Sequence, residues 1–144
     1  MWEMCEVMAK VLLLGGLFLI AWFDYKTQLI KTGWLLGLGA IGMACTLLKG
    51  SASWNVGTFA GISIGIAMLL FAWVSKESIG FGDGWLFVVT GVFLGFSQNV
   101  ALLFGSMLLA GAFAIVCLLF KRKGRNDRMA LAPFVLTAYV VFVL

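Results

Sequence analysis

The sequence predicts an all-α polytopic membrane protein: one compact domain, residues 1–144, with about six transmembrane helices in a bundle. Of the 144 residues, 63% are hydrophobic and 11% are charged, whereas soluble domains average about 45–50% apolar and about 25% charged residues. A single proline and the absence of a long polar segment argue against a second folded domain. Apolar segments follow one another along the chain at 7–23, 33–48, 55–74, 85–96, 100–120 and 129–144.

Segment length distinguishes these six elements. A helix that crosses the bilayer needs about 20 residues, and the third and fifth segments reach that length comfortably. The fourth segment is short and ends at the polar residues Ser97, Gln98 and Asn99. We expect it to form a partial helix tucked into the bundle.

The basic residues predict how the chain lies in the membrane. The net charge is +4, but half of the cations crowd into one short polar loop, 121–128, so membrane orientation explains them better than binding to nucleic acid. Positive charge is retained on the cytoplasmic side. We therefore expect the loops at 24–32, 75–84 and 121–128 on that side, with both termini outside and the last loop bound to anionic lipid headgroups.

Glycines repeat at four-residue spacing in the apolar segments. Small residues at this spacing let membrane helices approach closely. We expect them to pack helices within one chain rather than to form a homodimer, although the oligomeric state stays open. The repeats are Gly57, Gly61 and Gly65, then Gly33 and Gly37, then Gly91 and Gly95.

The inventory of reactive side chains excludes several chemistries. The chain has no histidine, and Cys5, Cys45 and Cys117 are far apart, so no zinc spacing and no disulfide framework is present. We expect no metal and no cofactor. Acid–base work would fall to carboxylates, of which Asp24 and Asp83 lie at the ends of apolar segments, where a charge is expensive.

Each aspartate also has a structural explanation. Asp24 could be a solvated residue at the membrane interface, offset by Lys26, although an acid at a helix C-terminus opposes the helix dipole. Asp83 could be a helix N-cap, approached through the flexible residues Gly80 and Gly82.

Together the two aspartates form a pair on one side of the membrane. Two carboxylates in one small site hold a single proton between them. The ionised one can take a proton from water while the protonated one polarises a carbonyl, which permits hydrolysis of a peptide without a covalent intermediate. Gly82 would permit a positive φ and leave space for a substrate backbone beside Asp83.

At these positions the sequence resembles the type IV prepilin peptidases, membrane aspartic proteases with a GxGD motif. Residues 77–83, Glu-Ser-Ile-Gly-Phe-Gly-Asp, are similar to the family's Glu-x-x-Gly-x-Gly-Asp stretch. Residues 24–27 with Ile30 look like the segment of its first aspartate, and Ala132-Pro133-Phe134 resembles the opening of its last helix.

The sequence departs from the family pattern in two places. Lys31-Thr32 replaces the usual Pro-Asn, and Gly84-Trp85 stands where many members have a residue followed by Lys. No segment resembles the cysteine-bearing cytoplasmic part of the larger, methylating members. The resemblance is therefore to the short, cleavage-only forms.

The resemblance implies removal of a short basic leader from prepilin or pseudopilin precursors at the cytoplasmic membrane face. Asp24 and Asp83 would be catalytic, with Gly80 and Gly82 as motif residues. Glu77 would attract the basic leader, and Lys26 would help to orient the segment bearing Asp24.

Two other functions share some of these features. A small ion- or proton-coupled transport or assembly protein could use the aspartates as a relay, but a relay needs an acid at mid-depth and both acids lie at one boundary. A presenilin-like protease shares the GxGD chemistry but has a much longer chain, and it would cleave within a helix rather than before one.

Overall fold

The computed structural model of the protein describes residues 2–27, 32–48, 56–75, 80–120 and 131–143. These residues form α-helices and no strand, because a helix satisfies all of its backbone hydrogen bonds within one segment, as a lipid environment requires. The five helices are α1 (Trp2–Thr27), α2 (Thr32–Leu48), α3 (Val56–Val74), α4 (Phe81–Leu119) and α5 (Ala132–Phe142).

Among the helices of the described residues, three are long and apolar enough to cross a membrane: Glu6–Lys26 of α1, Val56–Val74 and Phe81–Leu119. The outer surfaces of the bundle carry large apolar side chains, such as Leu108 and Trp73, each 72% exposed. Apolar side chains on the outside are what a lipid environment favours. Length and surface together indicate a membrane-inserted protein.

Helix α4 is folded back on itself. Its 39 residues would extend about 58 Å if straight, about twice the thickness of the bilayer core. Gly95 interrupts it with φ 72° and ψ −170°, a conformation that is essentially restricted to glycine. The Asn99 amide nitrogen then lies 3.1 Å from the carbonyl oxygen of Phe87, whereas these residues would be about 18 Å apart along a straight helix.

The turn at Gly95 differs from the predicted break between the fourth and fifth segments. Residues Ser97, Gln98 and Asn99 are helical, and the chain turns two residues earlier, where a glycine permits the positive φ. The described residues thus form five helices, and six separate membrane spans are not confirmed. The first half of α4, residues 81–94, is about 21 Å long and contains most of the buried positions of the helix, as expected for a short helix tucked into the bundle.

Glycines bring α3 and the first half of α4 into backbone contact. A Cβ atom on Gly61 would lie 2.7 Å from the carbonyl oxygen of Gly91, and one on Gly84 would lie 2.7 Å from Leu69. Gly61, early in α3, contacts Gly91, whereas Leu69, later in α3, contacts Gly84, which is earlier in α4. The two helices are therefore antiparallel. The expected intramolecular role of Gly61 and Gly91 is confirmed.

Other glycines of the predicted stripes do not make such contacts. At Gly33, Gly37 and Gly57, an added Cβ would meet no atom within 4 Å. Within the described residues, the expectation of close helix packing is therefore wrong for Gly33 and Gly37, whereas the Gly57 carbonyl oxygen lies 3.5 Å from the position of a Cβ added to Gly95.

Helix α5 lies between α1 and the second half of α4. The Tyr139 hydroxyl, fully buried, donates a hydrogen bond of 3.0 Å to the Lys10 carbonyl oxygen of α1. On its other side, the ring of Phe142 packs over Gly105, where an added Cβ would lie 2.6 Å away. These contacts bring the beginning of α5 to the end of α1.

Candidate active site

Asp24 lies in the last turn of α1 and is buried, with 4% of its surface exposed. Its Oδ2 accepts a hydrogen bond of 3.3 Å from the backbone N–H of Ala132, the first residue of α5. The N-cap residue of α5, Leu131, makes no side-chain capping bond. Asp24 therefore supplies a cap to α5 from a different part of the chain.

This environment contradicts the interpretation of Asp24 as a solvated interfacial residue. The neighbouring cation, Lys26, is exposed, and its Nζ lies 5.9 Å from the centre of the Trp22 ring. Residues two apart on a helix do not face each other, so Lys26 is placed toward the outer face of α1 and Asp24 toward the bundle. The α1 dipole disfavours Asp24, but the N-terminus of α5 favours it.

Asp83 is the third residue of α4 and is half-buried. The N-cap of α4 is Gly80, in an extended conformation with φ −62° and ψ 131°, and it forms no side-chain capping bond. The Asp83 N–H donates a 3.0 Å hydrogen bond to the Gly80 carbonyl oxygen. Asp83 is thus inside the first turn and is not the N-cap, so the capping explanation is wrong.

The two motif glycines have different surroundings. A Cβ on Gly80 would lie 3.2 Å from Asp83 Oδ2, so a side chain there would crowd the carboxylate. Gly82 is helical and half-buried. Within the described residues Gly95 is the glycine with a positive φ, so the expected positive φ at Gly82 is wrong, since Gly82 already belongs to α4.

The fold brings Asp24 and Asp83 to the same end of the bundle, where α1 ends and α4 and α5 begin. Their carboxylates are close enough for the charge of Asp24 to act on Asp83. In the described parts of the chain, no group of three or more His, Cys, Asp or Glu side chains could hold a metal ion. The arrangement is that of two interacting carboxyl groups, one of them buried at a helix N-terminus.

Some parts of the predicted site lie outside the described residues. These include Glu77, Lys31 and the basic loop at 121–128. The role of Glu77 and the orientation of the chain therefore stay predictions.

Sequence reasoning missed two functional candidates. The Ala132 N–H is a backbone group, so the amino-acid sequence does not indicate that it is a hydrogen-bond donor to Asp24. Pro133 does indicate where the last helix begins. The hydropathy pattern places Asn99 at the polar end of a segment, yet this residue is fully buried. A polar residue between two apolar segments was the available signal for a buried hydrogen-bond centre.

The fold and the site define a helical membrane protein with an acid pair at one end of its bundle. The chain belongs to the type IV leader peptidase family, whose sequence profile matches residues 11–115. This range contains both aspartates and ends before α5. No curated protein and no solved structure matches the chain. Membership of this family supports peptidase activity.

Proposed function

We propose that the protein is an aspartic endopeptidase that removes the short basic leader of type IV pilin-like precursors, with Asp24 and Asp83 as its catalytic pair. The observation that carries this proposal is the convergence of a buried Asp24 and a half-buried Asp83 at one end of the bundle. Membership of the type IV leader peptidase family supports this class of substrate.

The surroundings of the two acids favour different roles. Asp24 accepts the Ala132 N–H and lies at the N-terminus of α5, where a negative charge is stabilised. Asp24 is therefore the ionised member, which takes a proton from the attacking water. Asp83 is the protonated member, which donates its proton to the carbonyl oxygen of the scissile peptide bond.

Collapse of the resulting tetrahedral diol completes the reaction. The C–N bond breaks, the leaving nitrogen takes the proton held by Asp24, and a diol hydroxyl returns a proton to Asp83. The pair ends in its starting state. Water is the nucleophile, so the mechanism requires no cofactor and no covalent intermediate.

The first turn of α4 is suited to an extended substrate. Gly80 and Gly82 have no side chains, so a peptide backbone can approach the Asp83 carboxyl group from the side of the loop. Acidic Glu77, a few residues earlier in the chain, would attract the basic leader. Lys26, exposed beside Trp22, would help to orient the end of α1.

Reaction at the cytoplasmic face follows from the positive-inside rule, because the loops at 24–32, 75–84 and 121–128 together carry eight of the ten basic residues. The basic loop at 121–128 would bind anionic lipid headgroups. The partners would be prepilins or pseudopilins, in keeping with the type IV leader peptidase family.

Transport by an aspartate relay is less well supported. A relay needs titratable groups through the depth of the bundle. Deeper in the described bundle, the buried polar side chains are Thr90, Asn99 and Ser106, which do not titrate. Family membership also favours the peptidase.

Co-expression with a candidate prepilin tests the proposed function. The substrate carries a basic, glycine-ended leader, and the change in pilin mass is scored for wild type, Asp24→Asn and Asp83→Asn. Cleavage by wild type and by neither variant supports the catalytic pair. Cleavage that survives either change contradicts the two-aspartate mechanism, and no cleavage by wild type across several pilins favours transport.

The proposed contact of Glu77 with the leader needs a separate measurement. Glu77→Lys is compared with Glu77→Gln, using peptides that carry either a basic or a neutral leader. Reversal of charge is expected to weaken binding of the basic leader more than neutralisation does, and to spare the neutral leader. Equal affinity of all three proteins for the basic leader would exclude the contact.

A further inference from the structure

Asn99 forms a fully buried hydrogen-bond centre beside the turn in α4. Its Nδ2 donates to the carbonyl oxygens of Gly61, at 2.9 Å, and of Phe87, at 3.1 Å. Its Oδ1 accepts a bond of 2.8 Å from the Thr90 hydroxyl. This set of partners fixes the orientation of the amide, because two carbonyl oxygens can only accept.

These three bonds join three separate segments. Gly61 belongs to α3, Phe87 and Thr90 belong to the first half of α4, and Asn99 belongs to the second half. Phe87 and Thr90 follow Asp83 by four and seven residues, so all three lie on one face of the helix. The Asn99 amide therefore binds the helix face that carries Asp83.

The glycine contacts between α3 and α4 do not by themselves fix the rotation and the axial position of the first half of α4, whereas the hydrogen bonds of Asn99 do. Close contact of small residues is favourable over a range of positions, because dispersion has little directional preference. Hydrogen bonds weaken steeply when their geometry is disturbed. The bonds of Asn99 therefore select one rotation and one axial position for the short first half of α4.

We propose that Asn99 and Thr90 are positioning residues for the catalytic carboxyl group of Asp83. They hold the first half of α4 in the rotation that directs Asp83 toward Asp24, and they touch neither the substrate nor the reacting atoms. This inference rests on the proposed peptidase function. It adds a source of alignment that comes from the segment of α4 after the turn at Gly95, which folds back onto the segment that bears Asp83.

Kinetics of matched variants give the first test. Thr90→Val keeps the shape of the side chain but leaves the Asn99 oxygen without its donor, whereas Thr90→Ser keeps the hydroxyl. Thr90→Val and Asn99→Leu are expected to lower kcat at least about 10-fold, because small misplacements of a catalytic group are costly. KM stays within about 2-fold of wild type, since neither residue contacts substrate.

A distance measurement without substrate gives the second test. Spin labels are attached through Tyr25→Cys and Phe81→Cys. Tyr25 and Phe81 are 78% and 41% exposed, and they lie one residue from Asp24 and two residues from Asp83, respectively. Thr90→Val is expected to shift or broaden the distribution of label distances, and Thr90→Ser is expected to leave it unchanged. The labelled protein has its native cysteines replaced: Cys5, Cys45 and Cys117.

Ser106→Ala is the control for a general loss of packing. Ser106 is also fully buried, but its hydroxyl bonds within its own helix, to the Leu103 carbonyl oxygen. An unchanged distance distribution in Thr90→Val, or an equal shift in Ser106→Ala, overturns the inference. A wild-type protein that cleaves no prepilin would refute the proposed function, while the distance measurement would still decide whether the two residues position Asp83.

Discussion

The Ala132 N–H donates a hydrogen bond of 3.3 Å to Asp24 Oδ2, which joins the last turn of α1 to the first turn of α5. An acid at the C-terminus of α1 opposes the dipole of its own helix, and the same acid is favoured by the dipole of α5. The bond therefore gives Asp24 a structural role beside its proposed catalytic one. Substitutions at this position can separate the two roles.

Asp24→Asn and Asp24→Ala are expected to differ in stability but not in activity. Asparagine still offers an oxygen to the Ala132 N–H and is as good a cap as aspartate. Alanine loses the cap, at a cost of about 1 kcal/mol, and lowers the unfolding midpoint measured in detergent. Both variants lose cleavage, because neither can take a proton from water.

Equal stability of the alanine and asparagine variants would show that the cap contributes nothing. An alanine variant that still cleaves would show that Asp24 has only the structural role.

Gly91→Ala is expected to destabilise the bundle, because a Cβ there would collide with the Gly61 backbone. Overpacking of this kind costs about 1–3 kcal/mol. Gly15→Ala is the matched control, since an added Cβ there meets no atom within 4 Å and alanine favours helix. Unfolding of both variants in a denaturing detergent measures the difference, and a Gly91→Ala protein as stable as the control would contradict the close contact.

Gly95→Ala is expected to destabilise the turn in α4 for a different reason. The cost is backbone strain of about 1–3 kcal/mol at φ 72°. It does not come from a collision, since the nearest atom to an added Cβ, the Gly57 carbonyl oxygen, is 3.5 Å away. Gly111→Ala, in the second half of α4 and with open space around it, controls for replacement of a helix glycine. Equal unfolding midpoints for the two variants would argue against the turn.

The loop at 121–128 is expected to face the cytoplasm. In a protein without its native cysteines, Arg125→Cys should resist a membrane-impermeant thiol reagent in intact cells, and Lys49→Cys should react with it. Disruption of the membrane should make both sites reactive. Labelling of Arg125→Cys from outside intact cells would reverse the orientation and move both aspartates away from the cytoplasm.

The sequence identified the candidate catalytic residues because their chemical type is unusual at their position in the chain. Asp24 and Asp83 could be identified because a carboxylate at the edge of an apolar segment is rare and expensive. Their approach to each other could not be derived, since it depends on how α1, α4 and α5 pack. The hydrogen bond between Asp24 and Ala132 could not be predicted either. Its donor is a backbone N–H, which every residue except proline has.

The helix count shows a second limit. Hydropathy places a break near Ser97, Gln98 and Asn99 because those side chains are polar, whereas the chain turns at Gly95 because only glycine tolerates that backbone conformation. Asn99 is polar for another purpose, since it satisfies backbone carbonyls of two neighbouring segments. Composition alone does not separate a buried polar residue from an exposed one.

The proposed function depends on Asp24 and Asp83 acting as one catalytic unit in leader cleavage. Its most direct test is the cleavage rate of a prepilin peptide with a basic, glycine-ended leader by purified protein in liposomes, for Asp24→Asn, Asp83→Asn and the double variant. Each single change is expected to lower kcat at least about 100-fold, and the double variant should be no slower than either single one, because the two groups work together. Substantial cleavage by either single variant, or losses that multiply in the double variant, would contradict the claim.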